Sequence, residues 1–262
     1  MALAKKFFPN INPHSAYRRL QFLEADGYIG SFVVNSRYHE VWGLREKGFK
    51  YILPHLGDVE SKGFKSENGH HDFLASALHL GEWLTHQPDN TQTYSEQQLR
   101  RYPKDLWPHW VPQSILHRPD GYSVYTRDDK QIVVAFEAEL SPKSEKRYDS
   151  VIAFYDNQPS IQLVVWLVDS KNTFNALKRI FKKLQMRDTS KHHFLLLSDF
   201  FQTGWRTPFI DGKFKGHSIL NFLNRNGVEQ ASKWHQALDA IALLDSRRRP
   251  INSVTSKKNK KI

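Results

Sequence analysis

The sequence has no cysteine among its 262 residues. This absence excludes disulfide bonds, zinc sites built from thiolates, and catalysis by a thiol. It also fits a reducing compartment, where proteins rarely carry disulfides. We therefore expect a cytoplasmic protein in which any reactive groups are oxygen and nitrogen side chains.

Long apolar runs are also missing. The N-terminal stretch MALAKKFFPN lacks the apolar segment of a signal peptide. The longest apolar run is IQLVVWLV at residues 161–168. It is far shorter than the roughly 20 residues that an α-helix needs to cross a bilayer. The sequence therefore predicts no membrane partner.

Acidic residues are outnumbered by basic ones, 27 against 38, which gives a formal net charge of +11. Part of this excess lies in the C-terminal stretch RRRPINSVTSKKNKKI. Hydrophobic residues make up 39% of the chain and aromatic residues 13%, which is typical of a globular protein. A basic globular protein favours a polyanionic partner, and nucleic acid is favoured above a membrane surface.

The N-terminal segment has the pattern of a helix followed by a hairpin. Asn12 can cap a helix whose first position is Pro13, and Gly27 can end it. The alternating segments YIGSFVV and YHEVWGL then flank a turn at residues 35–37. A winged-helix DNA-binding domain has this order, although a small helical domain with a solvated basic face also fits. The candidate DNA contacts are polar residues of the helix and the turn: His14, Ser15, Arg18, Arg19 and Arg37.

Strands and helices alternate in the second half of the chain. GYSVYTR and QIVVAFEAEL predict a hairpin, and helical patterns separate it from the apolar strand 161–168 and from HHFLLLSDF. A continuous apolar strand between helices indicates a sheet covered on both faces. The predicted fold class is α/β (α+β), with a mixed sheet flanked by helices.

Changes in composition divide the chain into five expected segments. These are a winged helix, a linker with a connecting helix, the mixed-sheet domain, a C-terminal helix and a disordered basic tail: 1–56, 57–93, 94–226, 227–246 and 247–262. The connecting helix begins with two histidines, His70 and His71, which have no partner at metal-ligand spacing. We interpret them, like His192 and His193, as surface or packed residues.

Three carboxylates converge in the predicted hairpin. Glu137 and Glu139 lie on the same face of one strand, because side chains alternate along a strand. Asp120 enters the preceding strand and should therefore lie close to both. Carboxylates gathered at one point repel one another unless a cation neutralises them. Oxygen ligands without soft donors suit Mg²⁺ or Mn²⁺, which can activate water for attack on a phosphate.

Lys143 follows these glutamates, at the predicted start of a helix with Ser141 as its cap and Pro142 at its first position. Backbone amides at a helix N-terminus favour an anion. A phosphate diester fits between this lysine and the cation.

This combination resembles the PD-(D/E)XK nuclease fold, in which an aspartate and a glutamate hold the metal. In that fold a lysine two residues beyond the glutamate orients the attacking water. The Pro-Asp pair ending at Asp120 and Glu137 match the pattern directly, whereas Glu139 stands where the lysine is expected. The resemblance implies that Lys143 supplies the amine and that Glu96 is a further acidic ligand. Glu139 is then a metal ligand, a general base or a partner of Lys143.

The order of motifs over residues 10–200 is similar to that of the replication-relaxation family of plasmid proteins, and MobC-type mobilisation proteins share its plan. The resemblance implies a bacterial cytoplasmic protein that binds double-stranded DNA at a plasmid transfer origin and nicks it. No His-hydrophobic-His motif is present, so a metal-activated water is expected in place of a phosphotyrosine. A homodimer is a further expected assembly. Lys146 and Arg147 are candidate contacts to backbone phosphates.

A non-catalytic interpretation stays open. Pro-Asp-Gly is more often a turn than a catalytic site. Glu139 at the expected lysine position also fits an inactivated nuclease fold that serves a DNA-binding regulator. A metal titration separates the two, because a regulator needs no ion between Asp120 and Glu137.

Overall fold

The computed structural model describes residues 12–33, 40–56, 69–79, 86–114, 116–127, 130–184 and 190–224. All of them belong to one compact unit, Met1–Arg225. The second unit, Asn226–Ile262, lies outside the described residues, and so do the predicted C-terminal helix and basic tail. None of the helices in the described ranges has the length and apolarity that crossing a bilayer requires.

The chain begins with a helix, a hairpin and a second helix. Helix α1 spans Pro13–Ala25, and the Asn12 side chain caps it by accepting a hydrogen bond from the His14 amide. Strands β1 (Ile29–Val33) and β2 (Glu40–Leu44) form an antiparallel pair, and α2 (Glu46–Ile52) follows. The cap at Asn12 and the two strands agree with the sequence prediction.

A five-stranded sheet, whose strands lie side by side in the order in which they occur along the chain, forms the centre of the unit. The first three strands pair with one another in antiparallel fashion. The third strand also begins the parallel part of the sheet, which continues through the fourth and fifth. The strands are β3 Thr91–Ser95, β4 Gly121–Arg127, β5 Lys130–Glu139, β6 Ile161–Val168 and β7 His192–Leu196. The predicted mixed sheet flanked by helices is confirmed.

Helices cover both faces of this sheet. One face packs against α5 (Glu145–Asp156) and α6 (Lys171–Lys183), whose buried Tyr155 and Phe181 join the same core as Val133 and Ala135 of β5. The elements of the opposite core are α3 Gly69–Ala77, α7 Leu197–Thr203 and α8 Ile219–Leu223. The short helix α4 (Glu96–Arg101) links β3 to the loop that leads into β4. The glutamates of β5 therefore lie under a helix layer.

Three elements differ from the sequence prediction. Strand β3, with the polar sequence TQTYS, was not predicted as a strand. The apolar run HHFLLLSDF was expected as one strand, but the strand ends at Leu196 and α7 begins at Leu197. Helix α5 begins at Glu145 with Ser144 as its N-cap, so Lys143 precedes the helix. The Lys143 amide instead donates to the Tyr148 hydroxyl at 3.0 Å.

Candidate functional site

Asp120 lies immediately before β4 and is fixed by the hairpin. Its amide donates to the Phe136 carbonyl at 3.0 Å, and its Oδ2 accepts a hydrogen bond from the Ala138 amide at 2.5 Å. Gly121 pairs with Phe136, so Asp120 lies across from Glu137 at the end of β5. The side chain is buried, and the position of its carboxylate follows from the pairing of the two strands.

Glu96 reaches the same point from α4. Ser95 caps this helix in a capping box, and the Glu96 amide donates to the Asp120 carbonyl at 3.1 Å. The Glu96 carboxylate is buried and accepts hydrogen bonds from the Arg100 guanidinium, one turn further along the helix, at 2.8 and 2.5 Å. Burial raises the pKa of Glu96, the charge of Asp120 adds to this effect, and Arg100 opposes it. A cation would therefore relieve repulsion between two buried acids.

His71 completes this cluster from α3. Its Nε2 lies 3.3 Å from Asp120 Oδ1, and its Nδ1 lies 3.5 Å from Asp72 Oδ1. One ligand atom from each of His71, Glu96 and Asp120 lies within 4.8 Å of the other two. The hydrogen bond to Asp120 raises the pKa of His71 to about 9, against the effect of burial. The protonated imidazole thus balances charge that a metal ion could balance instead.

Glu137, across the hairpin from Asp120, contacts a second group of residues. Its Oε1 lies 2.5 Å from His117 Nε2 and accepts a hydrogen bond from the Tyr155 hydroxyl. Burial disfavours a charged imidazole, but the charge of Glu137 and its hydrogen bond raise the pKa of His117 above its ordinary value. The charge of Asp120 contributes in the same direction, so the two carboxylates share one electrostatic environment.

Glu139 lies two residues beyond Glu137 on β5 and forms an ion pair with Lys143. The Lys143 amine donates to Glu139 Oε1 at 2.5 Å, and the Tyr148 hydroxyl donates to Oε2 at 3.1 Å. Burial raises the pKa of Glu139, and Lys143 opposes that shift. Of the three roles left open for Glu139, these contacts favour that of a partner to Lys143.

The predicted DNA contacts lie on exposed surfaces where the structure describes them. His14, Ser15, Arg18 and Arg19 are exposed on α1. Lys146 and Arg147 are exposed in the first turn of α5, close in sequence to Lys143. Arg37 lies outside the described residues.

Sequence reasoning missed two histidines of this region. The sequence predicts His71 to be a surface or packed residue, but it lies beside Asp120 and Glu96. His117, three residues before Asp120, was not singled out although it contacts Glu137. The sequence HHD at residues 70–72 was a weak signal for the first, and the proximity of His117 to the Pro-Asp pair was a signal for the second. The buried His192 and His193 are packed, as predicted.

The comparisons with known proteins give one result. No family model, curated protein or solved structure matches this chain.

Proposed function

We propose that this chain binds double-stranded DNA and nicks it by metal-dependent hydrolysis of a phosphodiester bond, in plasmid mobilisation or replication. The observation that carries the proposal is the position of Asp120 between two acidic side chains. Glu96 and His71 offer ligand atoms on one side of it, and Glu137 lies opposite across the hairpin. A carboxylate hairpin with an added acid from the preceding helix is the expectation that the PD-(D/E)XK resemblance raised.

The donor set fits a divalent cation, Mg²⁺ or Mn²⁺. Asp120 and Glu96 would hold the ion. Both carboxylates are buried, and burial raises the pKa of Glu96. When bound, such an ion acts as a Lewis acid that lowers the pKa of water and stabilises charge on a phosphate. The sequence prediction makes Glu137 and Glu139 metal ligands as well, but their contacts with protein donors fit supporting roles better.

The chain's own residues supply positioning and proton transfer. Glu137 orients His117, whose imidazole can take or give a proton near the scissile bond. Glu139 and Tyr148 hold the half-buried Lys143, so that its amine can bind a phosphate oxygen. Lys146 and Arg147 extend this positive surface into the first turn of α5. These residues would hold the DNA backbone beside the carboxylates.

The N-terminal segment would supply DNA binding as a winged helix. Helix α1 exposes Arg18 and Arg19, and the hairpin β1–β2 follows it as a wing would. Contacts from this helix would select the origin, since base contacts specify a sequence while phosphate contacts position the protein.

A second candidate is a DNA-binding regulator with an inactive nuclease fold. The observation that favours it is the saturation of the two glutamates by protein donors. Glu139 is engaged by Lys143 and Tyr148, and Glu137 by His117 and Tyr155. Carboxylates satisfied in this way have less need of a cation.

Nicking of supercoiled plasmid in Mg²⁺ or Mn²⁺ tests the proposal. We expect metal-dependent open circles with the wild-type chain and a loss of about 10- to 100-fold in rate for Glu137→Ala and Asp120→Asn. The matched control is Glu145→Gln, which changes an exposed acid that pairs with Lys183 on the surface and should nick normally. Circular dichroism checks that each variant is folded.

Absence of nicking on plasmids that include the protein's own replicon would favour the regulator. Nicking that survives Glu137→Ala at the wild-type rate would mean that the cut is made elsewhere.

A further inference from the structure

We propose that the ion at His71, Glu96 and Asp120 is a first-row transition-metal ion, with His71 as a direct ligand, and that the site prefers it to Mg²⁺. The inference rests on the proposed function only in giving the ion a role in nicking DNA. Binding of the ion can be measured separately. The proposed ligands are one nitrogen and two oxygen donors, whereas the sequence predicted oxygen ligands alone.

The ligand atoms come from three separate elements, and each is held in place by other contacts. Asp120 is fixed by the Ala138 amide, and Glu96 by its helix cap and by Arg100. His71 projects from α3, which is anchored in the core between this helix and the sheet by its own Leu74 and by Leu78 directly after its end. A site whose ligands are already held close together loses little conformational entropy when an ion binds.

The surroundings of His71 are those of a metal-ligating histidine. Nε2 faces Asp120 at 3.3 Å, while Nδ1 faces the carboxylate of Asp72 at 3.5 Å. Ligating histidines usually present their second nitrogen to a carboxylate or carbonyl group, which orients the ring and strengthens the ligand. Among the described residues, Asp72 Oδ2 is buried without a hydrogen-bond partner. The Asp72 carboxylate can therefore accept a further hydrogen bond at the edge of the cluster.

The chemistry of the donor set decides the class of ion. Mg²⁺ strongly prefers oxygen ligands in a near-ideal octahedron and keeps several waters. Imidazole suits later divalent ions, and affinities for a nitrogen-containing site rise along the first transition row from Mn²⁺. One histidine with two carboxylates therefore favours Mn²⁺ and its neighbours over Mg²⁺.

The rival explanation is that His71 is only an ion-pair partner of Asp120. An ion pair would leave the site indifferent to the identity of the cation. It would also leave His71 unattached to any ion that binds at the carboxylates. The two explanations therefore differ in a directly observable quantity, the bonding of nitrogen to the ion.

The experiment uses Mn²⁺ alone with the full-length chain. Electron paramagnetic resonance measures the bound fraction of Mn²⁺, and electron spin echo modulation detects ¹⁴N coordinated to it. Titration calorimetry compares Mn²⁺ with Mg²⁺. We expect ¹⁴N modulation and a Mn²⁺ affinity at least about tenfold above that for Mg²⁺.

Two variants assign the nitrogen. His71→Asp makes the site all-oxygen, so it should lose the ¹⁴N modulation and bring the two affinities to within about threefold of each other. His70→Gln is the matched control, because it changes the neighbouring histidine and should leave both quantities unchanged. If His71→Asp does not fold, the ¹⁴N signal of the wild-type chain and of His71→Gln decides the question.

The inference is wrong if wild-type protein binds no Mn²⁺, if bound Mn²⁺ shows no ¹⁴N modulation, or if His71→Gln retains that modulation. Its failure differs from failure of the proposed function. Metal-dependent nicking without nitrogen coordination would contradict the inference alone. Nitrogen-coordinated Mn²⁺ on a protein that never nicks DNA would contradict the nuclease alone.

Discussion

Three carboxylates are buried at one end of the central sheet, and each has hydrogen-bond donors directed at it. Asp120 accepts from the Ala138 amide, and Glu137 from Tyr155 and His117. The third carboxylate, Glu139, accepts hydrogen bonds from Lys143 and Tyr148. Burying a charge without such donors costs several kcal/mol, so the donors are what make these positions tolerable.

Tyr155→Phe should therefore destabilise the protein by about 1–3 kcal/mol, the typical cost of leaving a buried charged acceptor short of a donor. The hydroxyl lost is the one that donates to Glu137, and Tyr155 is fully buried. Urea unfolding followed by circular dichroism measures the change. Tyr51→Phe is the control, because Tyr51 is 70% exposed and its hydroxyl should contribute little. Equal unfolding midpoints for the two variants would contradict the prediction.

His193 gives stability a pH dependence of its own. Burial lowers the pKa of His193, and its Nε2 accepts a hydrogen bond from the Phe214 amide at 3.2 Å. Because the folded pKa lies below the ordinary value of 6.5, the unfolded chain binds more protons beneath that pH. The contribution to stability is therefore complete above pH 6.5 and is lost as the pH falls through the folded pKa.

His193→Gln should lower stability at pH 7.5 and reduce the further loss between pH 7.5 and 5.5. One proton can contribute at most about 1.4 kcal/mol per pH unit to the difference from wild type. Urea unfolding at several pH values measures it. His217→Gln, at an exposed histidine, should follow the wild-type curve. The prediction fails if the His193→Gln curve runs parallel to the wild-type curve.

At the scale of elements, α2 packs against the end of α1 and its hairpin through a close backbone contact. A Cβ atom on Gly48 would lie 2.0 Å from the Tyr28 carbonyl oxygen. That oxygen also accepts a hydrogen bond from the Arg45 amide at 3.0 Å, so it cannot move freely. The glycine is present because the helix and the connection to β1 touch at this point.

Gly48→Ala should destabilise this segment despite a better helix propensity. Alanine gains roughly 1 kcal/mol of propensity within a helix, but forcing atoms into a filled space costs about 1–3 kcal/mol, and here the obstacle is backbone. We expect a net loss and faster hydrogen exchange at the amides of β1 and β2. Lys50→Ala, on the exposed side of the same helix, should change neither. Unchanged exchange in Gly48→Ala would show that the contact is easily relieved.

At the scale of the whole molecule, the charge of +11 predicts binding to a polyanion with a strong salt dependence. The proposal assigns part of that binding to Arg18 and Arg19 on α1, which are exposed. Uniformly distributed charge would bind DNA too, but no pair of basic residues would then matter more than another. A comparison of equal charge changes on two surfaces separates these cases.

Arg18→Ala/Arg19→Ala should weaken DNA binding and reduce the slope of log affinity against log salt by about two, since each phosphate contact contributes about 0.9. Fluorescence anisotropy at several salt concentrations measures both. Lys182→Ala/Lys183→Ala removes the same charge from α6 and should change the slope less. Equal effects of the two double variants would mean that α1 is not the recognition helix.

Several local features could be predicted from the sequence because they depend on near neighbours. Strands Gly121–Arg127 and Ile161–Val168 coincide with the predicted ones, and Asn12 caps α1. Their signals are alternation, a continuous apolar run and a side chain that bonds to the next turn. Strand β3 was missed because TQTYS is polar and gains its place only by pairing with β4.

The candidate site shows the same division. Alternation along β5 and the hairpin were enough to bring Asp120 and Glu137 together in the prediction. The partner of Lys143 depended on where α5 begins, and that start was predicted three residues too early, with Ser141 in place of Ser144 as the cap. His71 was missed because it lies far from Asp120 in sequence, and no local pattern encodes a contact over that separation.

By itself, the sequence determined the mixed sheet, the burial of its apolar strands and the hairpin that carries the carboxylates, since periodicity and turn chemistry act over a few residues. Only the tertiary structure decided which donors meet those carboxylates. Packing of α3, α4 and α5 around one end of the sheet sets His71, Glu96 and Tyr155 beside them. These contacts join distant segments, and they form because burying the apolar faces of the helices brings their polar ends together.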